Sequence, residues 1–104
     1  MEYSLIYSTA SSNEEAYAIG SKLVEGRLAA CVNILDGMRS IYRWDNAIQE
    51  GSEVVLIAKT KTSLVPELIT TIQNLHSYEC PAIVAVPITA GSADYLAWIE
   101  KETA

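Results

Sequence analysis

Hydrophobic residues recur along this chain in two rhythms, and the places where one replaces the other mark out its elements. Tyr3 to Thr9 is short, apolar and β-prone, and predicts a first strand. Ser12-Asn13-Glu14-Glu15 is a capping box, a hydroxyl followed three residues on by a carboxylate. Ala16, Ile19 and Leu23 follow at helical spacing, so a first helix is expected from about Asn13 to Glu25, ended by Gly26. Leu28 to Ile34 reads as a second strand. It resumes over Arg39 to Trp44 after the Asp36-Gly37 break, as one long strand with a bulge near Gly37. The polar run Asp45 to Ser52 predicts a hairpin connection, and Glu53 to Thr60 a third strand. Thr62 or Ser63 can cap a second helix with Pro66 in its first turn and an apolar stripe of Leu64, Leu68, Ile72 and Leu75. That helix should end near His76. Ala82 to Ile88 is a fourth strand, and Ser92 caps a short third helix carrying Tyr95, Leu96, Trp98 and Ile99.

The order β-α-β-β-α-β plus a terminal helix is the ferredoxin-like pattern, an α+β sandwich in a single domain. No repeat, low-complexity segment or linker interrupts it. Strand three reads Val54-Val55-Leu56-Ile57-Ala58 and strand four Ile83-Val84-Ala85-Val86, apolar on both faces. The ferredoxin-like fold puts helices on one face only, so a sheet covered that way should alternate. An uncovered face of Val and Ile would be a large sticky patch. The terminal helix can cover part of it, and a second copy of the chain is expected to cover the rest. If the terminal helix covers the whole face, the protein is a monomer.

Composition narrows the function classes. The chain has 104 residues, half of them apolar, which suits one globular core. Seven basic residues against thirteen acidic ones give a net charge of −6, a poor partner for phosphate backbones or anionic lipid. Neither nucleic-acid nor membrane binding is expected. The two cysteines, Cys31 and Cys80, are too few for a disulfide scaffold. With no secretory leader and no apolar run long enough to span a bilayer, a cytoplasmic protein with reduced thiols is expected.

Several stretches match a known family. They are Leu28-Ala29-Ala30-Cys31-Val32-Asn33-Ile34, Ser40-Ile41-Tyr42-Arg43-Trp44, Glu53-Val54 through Lys59-Thr60, His76-Ser77-Tyr78-Glu79-Cys80-Pro81, and Tyr95-Leu96-Ala97-Trp98-Ile99. Taken in this order along nearly the whole chain, they resemble the CutA divalent-cation-tolerance family. The resemblance implies a ferredoxin-like protomer in a tight homotrimer, similar in architecture to PII signalling proteins. It implies an association with copper and other divalent ions. Animal members, which carry an N-terminal extension, are associated with acetylcholinesterase assembly and membrane anchoring; without that extension only the bacterial-type role is expected to carry over. Where members often carry adjacent aromatic residues after the tyrosine, this chain has Arg43 before Trp44.

Read as chemistry, the richest stretch is His76 to Pro81, which holds an imidazole, a phenol, a carboxylate and a thiol at the end of a helix. His76 and Glu79 can coordinate a divalent ion, or the histidine can serve the helix C-terminus. Cys31 shares a strand face with Asn33 and can bind a soft ion such as Cu(I), or be a small buried residue. Cys31, His76 and Glu79 are therefore the candidate metal ligands. They show no closed zinc spacing, so an ion would draw on a second subunit or on solvent. Cys80 lies near His76, but no third group orients a nucleophile, and no enzyme activity is expected. Lys59 is either a snorkelling strand-end lysine or an anion anchor. Trp44 and Trp98 are packing residues or, at a trimer seam, pocket walls. The alternative to metal binding is thus a PII-like carrier of a small molecule, held in an intersubunit cleft by Arg43, Trp44, Lys59, His76, Tyr78 and Glu79. A rigid trimeric hub that serves protein partners is a third possibility. An acylphosphatase reading is excluded by the loop Ser8-Thr9-Ala10-Ser11-Ser12, which has no basic residue. An RNA-recognition reading is excluded by the aliphatic third strand.

Overall fold

Ile6 and Ala10 on one strand face the same way as Val54, Leu56 and Ala58 on its neighbour, and the core is built over that row. In the computed structural model, which describes residues 1–104, β1 (Tyr3–Ala10), β2 (Cys31–Trp44), β3 (Ala47–Lys61) and β4 (Ile83–Ile88) form one sheet. The order is β2-β3-β1-β4 and every pairing is antiparallel. Helices α1 (Asn13–Glu25) and α2 (Val65–Leu75) cover one face, where Ala16, Ile19, Leu23, Leu68 and Ile72 close the core. Helix α3 (Ala93–Glu102) contacts β3 and buries Ile99 apart from that core. This is the expected ferredoxin-like α+β sandwich with a terminal helix.

The N-cap signals of α1 and α3 act locally as read. Ser12 accepts from the Glu15 N–H at 3.1 Å, and Ser92 from the Tyr95 N–H at 3.3 Å. Gly26 is the C-cap of α1, but the left-handed residue is Arg27, with φ 59°. Leu28 and Ala29 then turn their N–H groups back to the Leu23 carbonyl, so β2 opens at Cys31 and not at Leu28. No side chain caps α2. Thr62–Leu64 instead forms a single 3-10 turn, and the Thr62 hydroxyl is paired with Ser4. Of the predicted stripe, Leu68 and Ile72 are buried, Leu64 packs at the margin, and Leu75 is exposed.

The largest departure lies between Asp45 and Ser52. The expected loop is only two residues long: Asp45 and Asn46 have φ 50° and 62°, the signature of a type I′ turn. Trp44 then pairs with Ala47 and Arg39 with Ser52, so the polar run extends β3. Its polarity reflects exposure, since this part of β2 and β3 stands out beyond the core as a two-stranded ribbon. The bulge is where it was expected, between Leu35 and Met38, with Gly37 at φ 81°. The ribbon helps to draw the molecule out to 44 × 25 × 23 Å.

Helix α1 rides close on β2 at Gly20, where an added Cβ would lie 2.9 Å from Val32 Cγ1. Gly20→Ala should therefore destabilise the protein by about 1–2 kcal/mol through overpacking, despite the better helix propensity of alanine. A thermal unfolding midpoint equal to or above that of the parent would contradict this close approach.

In a single chain, much apolar surface stays uncovered. Leu35, Val84 and Val86 are about half exposed on the sheet, while Ile41 and Ile48 on the ribbon are 74% and 67% exposed.

Candidate functional site

Beyond the bulge at Gly37 a cleft of about 730 Å³ lies along the ribbon. Met38 to Tyr42, Trp44 and Gly51 to Glu53 line the ribbon side. Tyr7 and Thr9 come from β1, and Tyr78, Glu79, Cys80 and Ala82 from the segment between α2 and β4. The cleft thus gathers strand residues far apart in sequence around the stretch that looked richest in chemistry.

His76 holds that segment in place. Its side chain is fully buried, and both ring nitrogens are engaged. Nδ1 accepts the Tyr78 N–H at 3.0 Å, so Nε2 carries the proton and donates to the Thr9 carbonyl at 2.7 Å. The ring also packs against Tyr78, with centroids 4.6 Å apart. His76 therefore stands behind the cleft wall and does not line it.

Glu15 is the second anchor, and its role was not apparent from its place in a capping box. Its Oε1 accepts from the Ser11 N–H and hydroxyl, both at 2.9 Å, and its Oε2 from the Ser77 N–H at 2.8 Å. Burial alone would raise its pKa, but these hydrogen bonds to Ser11 and Ser77 bring it down to about 2. The carboxylate ties the start of α1 to the chain that follows α2.

On the cleft side, Tyr78 donates its phenol to Glu53 Oε2 at 2.9 Å, and Ser40 donates to Oε1. Burial opposes the charge on Glu53, yet the donors hold its carboxyl below the usual range. Burial, reinforced by the hydrogen bond and charge of Glu53, pushes the Tyr78 phenol up to about 12. At neutral pH this corner presents a neutral phenol against an ionised carboxylate. Glu53 was not among the expected site residues. Its place at the start of the expected third strand gives no hint of what it faces.

Cys31 lies elsewhere. It pairs with Lys59 across β2 and β3, and the Lys59 ammonium reaches both Asn33 Oδ1 and, at 3.8 Å, the Cys31 sulfur. Lys59 sits opposite Leu5, four residues along β1 from the Thr9 that His76 touches. At about 3.3 Å per residue, that puts Cys31 roughly 13 Å along the sheet from His76. One protomer does not bring Cys31, His76 and Glu79 together. No three His, Cys, Asp or Glu side chains converge so as to hold a metal ion. Of the six residues expected in a ligand cleft, Trp44, Tyr78 and Glu79 line it, while Arg43, Lys59 and His76 do not. Both thiols are free, Cys80 exposed at the cleft and Cys31 half-buried.

Comparison with known proteins places this architecture. The model of a family described as "CutA1 divalent ion tolerance protein" matches residues 4–102. The divalent-cation tolerance protein CutA of Thermus thermophilus is 44% identical over 95% of this chain and 96% of its own. The crystal structure of CutA from Xylella fastidiosa superposes over the full length of both chains, with a TM-score of 0.97 at 38% identity. The periplasmic divalent cation tolerance protein CutA of Archaeoglobus fulgidus gives a TM-score of 0.96 at 37% identity, covering 98% of this chain and 99% of that one. A chloroplastic CutA of Arabidopsis thaliana is 38% identical over 95% of this chain, which spans only 54% of that relative. No helix is long and apolar enough to cross a membrane. The chain belongs to the CutA1 divalent ion tolerance family.

Proposed function

We propose that this protein is a non-catalytic homotrimer of the cytoplasm that acts in a response to divalent metal ions, copper among them. The observation that carries the assembly is the apolar surface left bare by one chain. A two-stranded ribbon is marginal by itself in water, and this one exposes Ile41, Trp44 and Ile48. Neighbouring copies that pack on the ribbon and on Val84 and Val86 would remove that surface. The threefold count follows from the family resemblance, and the ion class from the names of the relatives.

An ion bound by Cys31, His76 and Glu79 has to be assembled across protomers, and His76 has to give up a hydrogen bond to join it. Glu79 and Cys80 need no such rearrangement. The test is native mass spectrometry with a copper titration. We expect an apo mass about three times the 11.3 kDa of the chain, and copper uptake that weakens in Cys31→Ser and Glu79→Gln. Unchanged copper stoichiometry and affinity in the combined variant would remove this ligand set.

A second reading is favoured by the cleft itself. Its size suits a small molecule, and its aromatic walls with a few polar groups are what such sites use. The protein would then carry or sense a ligand at the seam in the manner of PII-like proteins.

A further inference from the structure

Cys31 to Leu35, the first part of β2, is an open edge of the sheet. β2 pairs with β3 alone, and no backbone hydrogen bond made outside the helices and strands reaches Val32 to Leu35. Every second residue there turns its N–H and C=O away from β3, with no partner in the chain. Folded proteins commonly guard such an edge with a charged residue, a proline or a bulge. Cys31-Val32-Asn33-Ile34-Leu35 has no charge and no proline, and the bulge comes only at its end.

Beside this edge, and apart from the cleft along the ribbon, a groove of about 330 Å³ lies between β2 and α1. Val32 and Ile34 line it from the strand, and Tyr17, Gly20 and Val24 from the helix. Tyr17 is 70% exposed and Val24 43%, so α1 carries an apolar flank besides the stripe that it buries in the core. A strand added to β2 would run about 4.8 Å from it. Every second side chain of that strand would fall on the face of Val32 and Ile34, against Tyr17 and Val24. Glu25 is the one charged residue of the lining, at the carbonyl end of α1 and close before the start of β2. Its carboxylate and the helix end both favour a cation. Lys22 lies 3.9 Å from Glu25, but both side chains are exposed, so the pair neutralises little.

We propose that this edge takes up an extended segment of another protein as an added strand antiparallel to β2. From its N-terminus the segment reads apolar-x-apolar-x-basic, with the two apolar side chains against Tyr17 and Val24 and the basic one at Glu25. A strand fits where a helix does not, because the edge lacks backbone partners. A copy of this chain is not the occupant: in the assembly proposed above the copies meet at the ribbon and at Val84 and Val86 of β4, the opposite edge of the sheet.

The test titrates the blocked peptide Val-Thr-Val-Thr-Lys, and companions with Ile or Leu in place of Val, into the intact protein. Amide chemical shifts and hydrogen exchange follow the binding. Shifts are expected along Tyr17 to Glu25 and Cys31 to Leu35, and the outward amides of Val32 to Leu35, fast in the free protein, should slow. N-methylation of one alternate set of peptide amides should weaken binding about ten-fold or more, and methylation of the other set should not. Tyr17→Lys combined with Val24→Lys should abolish binding with the far-ultraviolet circular dichroism preserved, since both positions are exposed. Equal binding of the two N-methylated forms, shifts confined to other parts of the protein, or no binding at millimolar peptide would each overturn the proposal. So would slow exchange of Val32 to Leu35 without peptide together with a fall in assembly mass in the double variant, which would assign the edge to a copy of the chain.

Discussion

Replacing Ile41 and Ile48 together by aspartate should turn the assembled protein into single chains that remain folded. Both side chains lie on the ribbon, which contributes no residue to the buried core. The protomer fold therefore does not need them. In an assembly whose neighbours cover the ribbon, each isoleucine removed from water contributes about 2 kcal/mol, or roughly thirty-fold in association. The pair amounts to about a thousand-fold, before counting the cost of burying a carboxylate at each site. Sedimentation should show the mass falling to that of one chain at micromolar concentration, with the far-ultraviolet circular dichroism preserved. An unchanged mass would mean that the ribbon is solvent-facing and that the seam lies elsewhere.

Glu15→Gln should produce the second large effect, and one that depends on pH. Glu15 has a pKa of about 2 in the folded protein against an ordinary value of 4.5. A depressed pKa gives stability that is fully present above the unfolded value. It is lost as pH falls through 4.5 towards 2. The side chain is 13% exposed, so water screens part of this. About 2 kcal/mol at neutral pH is a reasonable expectation. Glutamine keeps an oxygen for Ser11, but its amide N–H meets the Ser77 N–H, and the two donors repel. Urea unfolding at pH 7 should show the loss, and the gap between variant and parent should close near pH 2. A gap that stays constant with pH would assign the effect to packing and not to the carboxylate charge. The segment after α2 should loosen in the variant as well, because Ser77 is one of the points where it is tied down, beside His76 and Tyr78.

The residues differ in how openly they declare these roles. Ser12, Ser92, Gly37 and the two apolar helix stripes act within a few residues of themselves, and periodicity and capping chemistry expose them directly. The ribbon departs from the sequence expectation because Gln49, Glu50, Gly51 and Ser52 have the composition of a loop. Their strand conformation is imposed from Asp45-Asn46, where a tight turn fixes the register of everything after it. A strand in water has no reason to alternate, so pattern fails there, and a two-residue turn signal was the usable clue.

The site shows a similar division. The importance of His76 to Glu79 was legible, but its nature was not. His76 reads as a metal ligand beside Glu79 or as a helix-end residue, and its partners are backbone groups at Thr9 and Tyr78. Contacts such as Glu15 to Ser77, or Tyr78 to Glu53, join residues 62 and 25 positions apart. Nothing local announces them. The separation of Cys31 from His76 likewise follows from strand register, which a face-by-face reading of single strands does not determine.

Hydrogen exchange at the ribbon amides tests most directly whether this fold works as an assembly. If neighbouring copies cover the ribbon, amides between Ile41 and Ile48 should exchange as slowly as those of β1 and of the core part of β3, Val54 to Ala58. Exchange within seconds, as in a hairpin standing free in water, would contradict an assembled seam and the cleft built along it.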